Sequence, residues 1–453
     1  MINKRNVKYG ISLFLIIIIS TLLSCATNTY VFREIDLAVE IADYLTAVEE
    51  IKRGQERTVA IYSEKNAIQL FLDKGLLEHY SKNYEDSSED LQNAERLIEE
   101  AYTKSISEGF MSYIINDNVK EYPGEDFEDI YINVFNALNY FHRGNYEGAL
   151  VEIRKLSLSG GKLDMLGRKY EYIDPITGRG LNEMVKRETG ISQMPETRSA
   201  NFSNSALARY LGALFYQAVG NVDSARIEFD QVERAFRTNS NIYSHPIPNT
   251  VQQTRSTPIE ETRLNIISFT GLSPIKEEAI ILQYLPFRHP VLQVAMFRLP
   301  ELVSRSNQIT RIEVIVEGAG KFDLELLEDI GAVIRETFLT RYSNILTKTY
   351  IRTIIKYAVA DVVAMETARQ KDNISGLLIA LAARAGMDVS EGADIRMSRY
   401  LPDKAHIGGI NLDPGEYSVI INYYNGGRLI SAELREITVK TGSLNLLQTV
   451  KLR

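Results

Sequence analysis

The chain has 453 residues, 45% hydrophobic, 24% charged and 9% aromatic, with a formal net charge of −8, one Cys and no Trp. That apolar fraction excludes a disordered chain, and the single Cys excludes an internal disulfide and a Cys-based metal site. The 28 Gly and 12 Pro exclude collagen-like and low-complexity forms, and at about 150 residues per domain the length fits two or three domains.

Residues 1–24 have the pattern of a signal peptide. Lys4, Arg5 and Lys8 make a basic start, and residues 11–23 are apolar except for Ser12, Ser20 and Thr21. The run is too short to cross a bilayer core of about 30 Å comfortably, and it suits a cleaved segment. It ends Leu22-Leu23-Ser24-Cys25, which resembles a bacterial lipobox. A thiol must stand at that cleavage point because diacylglycerol is added through sulfur. Cys25 is therefore the expected lipidation site, and acyl chains there, at about 0.8 kcal/mol per buried CH₂, would anchor the mature chain to a membrane. Cleavage removes three Lys/Arg and no Asp/Glu, taking the net charge from −8 to −11. An acidic body disfavours nucleic acid and anionic lipid as partners. No later run has 18 unbroken apolar residues, so no mature transmembrane helix is expected. Ala26 follows the Cys where an Asp would signal inner-membrane retention. By analogy with lipoprotein sorting, this points to the outer membrane with the body facing the periplasm.

Residues 25–238 read as a helical domain. Residues 34–53 make one amphipathic helix, with Ile35, Ala38, Ala42, Leu45 and Val48 on a face. Further on, Ala137, Tyr140, Gly144, Tyr146, Ala149, Ile153 and Leu156 have the spacing of a tetratricopeptide repeat. Small residues let two helices approach, the aromatic fills the gap beside them, and Gly144 permits the tight turn. The register recurs at Ala213, Tyr216, Gly220, Val222, Ala225, Phe229 and Val232, and again at Gly75, Tyr84, Ser87, Leu91 and Ala94. The anchors Ser87, Ala149 and Ala225 are 62 and 76 residues apart, so the units are not tandem. A long connection covers about 158–204.

Residues 239–262, rich in Ser, Thr and Asn, read as a linker. Residues 263–453 read as a mixed domain. Strand-like runs cover 264–269, 278–285, 291–299 and 311–316, and a helical block covers 324–386. Within it, the apolar decapeptide 376–385 is expected to lie in a core. The tail 405–453 reads as a β-meander with a hairpin at Asn425-Gly426-Gly427, because Asn and Gly accept φ > 0. The expected class is α+β: a TPR-like helical domain, then an antiparallel sheet or sandwich with several helices, the tail strands pairing with those at 263–318.

These stretches resemble a family of bacterial tetratricopeptide-like lipoproteins of unassigned function, over nearly the whole mature chain. The resemblance is carried by ALNYFHRGNYEGALVEIRKL at 137–156, ARYLGALFYQAVG at 208–220, residues 350–358, and Ala393-Asp394 through Arg396 to Leu401-Pro402, followed by Leu412-Asp413-Pro414-Gly415-Glu416-Tyr417. The chain departs from the pattern at Ser398, where the family tends to have Trp, and at Ser205-Ala206-Leu207, where it tends to have an Asn-Pro-aromatic approach. The resemblance implies an envelope lipoprotein beside others in secretion or peptidoglycan synthesis, and it implies no catalytic residues.

The sequence offers no reactive constellation. His79, His142, His245, His289 and His406 are scattered, no HExxH or Gly-x-Ser-x-Gly occurs, and Gly318-Ala319-Gly320-Lys321 lacks the phosphate-loop frame and reads as a turn. The expected function is therefore a non-enzymatic, protein-binding scaffold or assembly factor in a cell-envelope complex, with other envelope proteins as partners and no cofactor or metal. By register, Tyr131, Val134, Leu138, Phe141 and His142 would line a concave groove with Tyr210, Leu214 and Gln217, making Tyr131, His142, Tyr210 and Gln217 the candidate partner-binding residues. The alternatives are a carbohydrate-active enzyme on peptidoglycan, drawing on 25 Tyr and 59 acidic residues, and a purely structural outer-membrane component.

Overall fold

Four connections in the helical half are one turn built four times. The computed structural model describes residues 32–58, 60–107, 118, 120–157, 161–169, 202–258, 260–285, 287–370, 372–390 and 392–453. Cys25 and the expected signal peptide lie outside them. Helices α1 (Arg33–Glu40), α2 (Tyr44–Gln55), α3 (Ala67–Tyr80), α4 (Tyr84–Ser107), α5 (Asp126–His142), α6 (Tyr146–Ser157), α7 (Lys162–Lys169), α8 (Ala206–Ala218) and α9 (Val222–Thr238) make up this half. Ala42, Lys82, Gly144 and Gly220 take φ of 60°, 68°, 74° and 74°. Each precedes an Asp or Asn whose amide donates to a carbonyl five residues back. The four bonds, from Asp43, Asn83, Asn145 and Asn221, are all 2.9 Å. The side chains of Asp43, Asn145 and Asn221 then accept from the amides of Thr46, Gly148 and Ser224. The end of one helix and the cap of the next are thus closed by a single turn. Four residues after each Asx stands Ala47, Ser87, Ala149 or Ala225, all buried where the paired helices meet. The sequence pattern marks the last three copies. The first is hidden in the stretch expected as one helix over 34–53, which Ala42 divides into α1 and α2.

Residues 239–262, expected as a linker, contain α10 (Asn249–Ser256), whose Val251 and Thr254 are buried. The second half then adds β1 (Arg263–Leu272), β2 (Ile275–Tyr284), β3 (Val294–Val303), β4 (Arg311–Val316), β5 (Gly320–Asp323), β6 (Glu325–Asp329), α11 (Ile330–Gln370), α12 (Asn373–Ser390), β7 (Pro402–Asn411), β8 (Gly415–Asn425), β9 (Arg428–Val439) and β10 (Asn445–Lys451). The class is α+β. One sheet has the order β10-β1-β7-β6, another β5-β4-β8-β9, and β2–β3 form a separate ribbon. The hairpin at residues 425–428 is as expected, closed by Gly426 at φ 58°. Other expectations for this half fail. Residues 325–329 are strand, although the helical block was expected to begin at 324. Strand β10 does pair with a strand of 263–318, namely β1, but in parallel and not as the last strand of an antiparallel meander.

The β10-β1-β7-β6 sheet is buried on both faces. Ile267 and Phe269 of β1 join the core of the helices, together with Ala405 and Ile407 of β7 and Leu327 of β6. Leu264 and Ile266 point the other way, against Ile312, Val314, Val419 and Ile421 of the second sheet. Period-2 alternation therefore serves two cores at once. The helices and the first sheet share one core among the described residues. The ribbon, the distal part of α11, and α12 have their own smaller core around Phe297, Tyr350 and Tyr357. Within the decapeptide 376–385 only Gly376 and Ala380 are buried, while Leu377 and Leu378 are exposed.

Candidate functional site: a buried polar junction

Residues 392–401 have no helix or strand, yet they run through the interior between α3, α5 and the first sheet. Three acidic side chains of the helices hold this strap. Asp73, in the apolar run of α3, accepts from Ser398 Oγ at 2.9 Å, the Arg399 amide at 2.7 Å and Tyr62 Oη at 2.8 Å. Glu128, in the first turn of α5, accepts from the Ser398 amide at 2.5 Å, the Glu125 amide at 2.7 Å and Tyr122 Oη at 2.7 Å. Asp36 of α1 accepts from Arg399 Nη2 at 2.9 Å and Tyr400 Oη at 3.0 Å. The strap's own Arg396 pairs with Asp394 and lies over the Tyr122 ring, 5.2 Å from its centroid. Lys276 of β2 bonds Glu125 and the Arg396 carbonyl, and Arg341 also reaches Glu125.

Electrostatics follow from burial. Asp73 and Glu128 have no solvent exposure. Desolvation pushes the Asp73 carboxyl up to about 6 against its hydrogen bonds, and it pushes Glu128 up to about 7 with help from the Glu125 charge. Burial also acts against charge on Asp394, but Arg396 outweighs it and the carboxyl stays below its ordinary value.

A second hub centres on Glu328 of β6, also fully buried. It accepts from Tyr131 Oη and Tyr243 Oη at 2.7 Å, from Ser205 Oγ at 2.9 Å and from the Leu207 amide at 3.0 Å. No Lys or Arg pairs with it among the described residues, and burial raises its pKa. Ser398 and Ser205 thus supply hydroxyls to Asp73 and Glu328.

A third chain of bonds ties α3 and α5 to β10. Ser87 Oγ donates to the Gly75 carbonyl at 2.7 Å, Asn139 Nδ2 donates to Ser87 Oγ at 2.8 Å, and Asn139 Oδ1 accepts from His79 Nδ1 at 2.6 Å. His79 Nε2 is then an acceptor, met by Gln448 Nε2 at 2.6 Å, and Gln448 Oε1 accepts from His142 Nε2 at 2.8 Å. His142 stacks on Tyr84 at 4.4 Å. Burial lowers both imidazoles, His79 to about 3.

The expected groove is occupied. Tyr131, Val134, Leu138, Tyr210 and Leu214 are at most 1% exposed. Tyr131 is spent on Glu328 and Tyr210 on Thr254, 3.1 Å away, while Phe135 packs on Phe269 of β1 at 5.1 Å. The first sheet fills the side that tandem helical hairpins would leave concave, so Tyr131 and Tyr210 cannot meet a partner there. His142 is half-buried and Gln217 is exposed. No hydrogen bond joins any two of Tyr131, His142, Tyr210 and Gln217 among the described residues.

Sequence reasoning missed Asp73, Glu128 and Glu328. Their one local signal is an acid inside an apolar run, as in Leu70-Phe71-Leu72-Asp73 or Leu326-Leu327-Glu328. Chemically, these carboxylates bind donors of their own chain and are sealed from solvent, which suits holding a shape. Among the described residues, no group of three or more His, Cys, Asp and Glu could hold a metal ion. Compared with known proteins, the chain matches no family model, no curated protein and no solved structure.

Proposed function

We propose that the protein is an envelope lipoprotein, tethered through lipid on Cys25, that acts as a non-enzymatic binding scaffold or assembly factor in a cell-envelope complex serving secretion or peptidoglycan synthesis. The observation that carries this reading is the turn built four times at Ala42, Lys82, Gly144 and Gly220, each with a small buried residue at the same offset. That geometry supports tetratricopeptide-like hairpins, whose usual work is to present surface to other proteins. With the inner side filled by the sheet, the partner surface moves to the hairpin ends and the outer helices, where Gln217 lies exposed. The tether would hold that surface at the outer membrane, on the periplasmic side.

The test has two arms in intact cells. A palmitate analogue labels the parent and not Cys25→Ser. A photo-reactive residue at Gln217 yields a discrete adduct with an envelope protein, while one at the buried Tyr131 yields none. An unlabelled parent removes the tether. Absence of any adduct from Gln217 and from its exposed neighbours on α8 and α9 removes the scaffold.

A further inference from the structure

An open cleft of about 490 Å³ lies among the last residues of α10, the start of β1 and the end of β7. Small-molecule sites run to about 300–1,000 Å³, so the volume suits one. Arg263 lines it, half-buried, with its guanidinium laid against the Gly409 backbone. A Cβ at residue 409 would come within 2.9 Å of Nη2 and 3.0 Å of Nε, so only glycine leaves this seat open. Nη1 donates to Asn411 Oδ1 at 2.8 Å and Nη2 to Gln253 Oε1 at 3.2 Å, while Nε is buried and has no acceptor among the described residues. The bonds that Arg263 makes thus go to neutral amides, and no carboxylate pairs with it among the described residues. Burial acts against the charge and lowers its pKa. Glu261 lines the same cleft, exposed, and accepts from Asn411 Nδ2 at 2.7 Å. Ser256 and Thr257 donate their hydroxyl protons to α10 carbonyls, which leaves oxygen lone pairs for a donor.

We propose that this cleft binds a free α-amino acid, with its carboxylate on Arg263 and its ammonium on Glu261. Asn411 already shows the pairing. It turns an acceptor to the cation and a donor to the acid, both borne by one carbon. An α-amino acid presents the same order, a carboxylate and an ammonium on one carbon, with full charges in place of an amide's partial ones. Its planar carboxylate fits the fork of a guanidinium that has N–H groups to spare. A dianion meets Glu261 and a simple cation meets Arg263, so the balance of the two selects a zwitterion. A peptide carries its end charges on different residues, too far apart to lie beside one amide. The rest of the volume takes the side chain. This ligand goes beyond the scaffold reading and does not depend on the tether at Cys25.

The mature protein, purified from cells and dialysed, is titrated by calorimetry with each of the common L-amino acids and with D-alanine. At least one binds with a Kd below about 1 mM. Arg263→Gln and Glu261→Gln each weaken that ligand at least about tenfold. The thermal midpoint without ligand is unchanged in Glu261→Gln, an exposed site, so its loss of binding is not a loss of fold. The N-acetyl and methyl-ester forms of the same amino acid each lack one charge, and both bind at least about tenfold more weakly, as does its homodipeptide. Because calorimetry reports the cleft, its failure is distinct from loss of the tether or of the scaffold's partner. No binding by any amino acid of the panel overturns the proposal. So does binding that survives either substitution. An N-acetyl form that binds equally well overturns it in favour of simple carboxylates, and a homodipeptide that binds more tightly overturns it in favour of peptide ends.

Discussion

Glu328 gathers two tyrosine hydroxyls, a serine hydroxyl and a backbone amide around one carboxylate with no cation beside it among the described residues. Glu328→Met keeps the volume and leaves those donors without an acceptor. It is expected to cost more than about 4 kcal/mol by urea unfolding, whereas Glu328→Gln keeps one acceptor and lets a tyrosine hydroxyl turn, costing about 1–2 kcal/mol. Equal losses in the two variants would show that the hub does not act through these bonds. Glu128 sets a pH dependence. Its folded carboxyl, pushed up to about 7 by burial from an ordinary 4.5, keeps a proton where the unfolded chain has lost it. Its stabilisation is complete below 4.5 and is lost as pH rises through about 7. His79 runs the other way: burial lowers it from 6.5 to about 3, so its share is lost as pH falls across that interval. Urea midpoints measured from pH 4.5 to 7.5 should fall less steeply in Glu128→Gln than in the parent. None of this was legible in spacing. Tyr131 and Glu328 are 197 residues apart, and local periodicity carries no record of such a pair.

The repeated turn makes opposite predictions at equivalent positions. Gly144 and Gly220 suit φ of 74°, and a Cβ added at either would meet nothing within 4 Å, so the penalty of Gly144→Ala or Gly220→Ala is purely conformational, about 1–2 kcal/mol. Ala42 and Lys82 already bear that strain. Ala42→Gly and Lys82→Gly should each stabilise by about 0.5–1 kcal/mol, read as a higher thermal midpoint. Lower midpoints in both would refute the equivalence of the four turns. The copies with glycine were visible in the sequence because glycine marks the turn. The copy at Ala42 was not, since alanine favours helix and the apolar spacing runs on through the break. The start of the helical block was misplaced for a related reason. Leu324 to Val333 has apolar residues at intervals that fit either period, and pairing with β7 decides for strand over 325–329.

A helix buried on every side belongs to the middle of a molecule. Helix α5 buries Phe127, Ile130, Tyr131, Ile132, Val134, Phe135 and Leu138, so both of its faces need cover. That signal was present in the sequence and argues against a helical domain standing free of the second half. A chain ending at residue 262 lacks Glu328, the strap and β10, and it leaves Tyr131 and Tyr243 without their acceptor. It should show no cooperative melt by near-ultraviolet circular dichroism, and a sharp melt would restore the two-domain view. The strap residues 393–401 take neither helix nor strand, and spacing alone does not announce their place in the interior. What they do, which is to be gripped by α1, α3 and α5, needed three dimensions.

The seat of β10 also has a consequence in time. Tyr44 Oη reaches the Val450 carbonyl at 3.5 Å across 406 residues of sequence, and Arg453 pairs with Glu40. The opening pair of helices therefore waits, unsealed, until almost everything after it has been synthesised. A chain halted before residue 445 leaves that first pair without its seal.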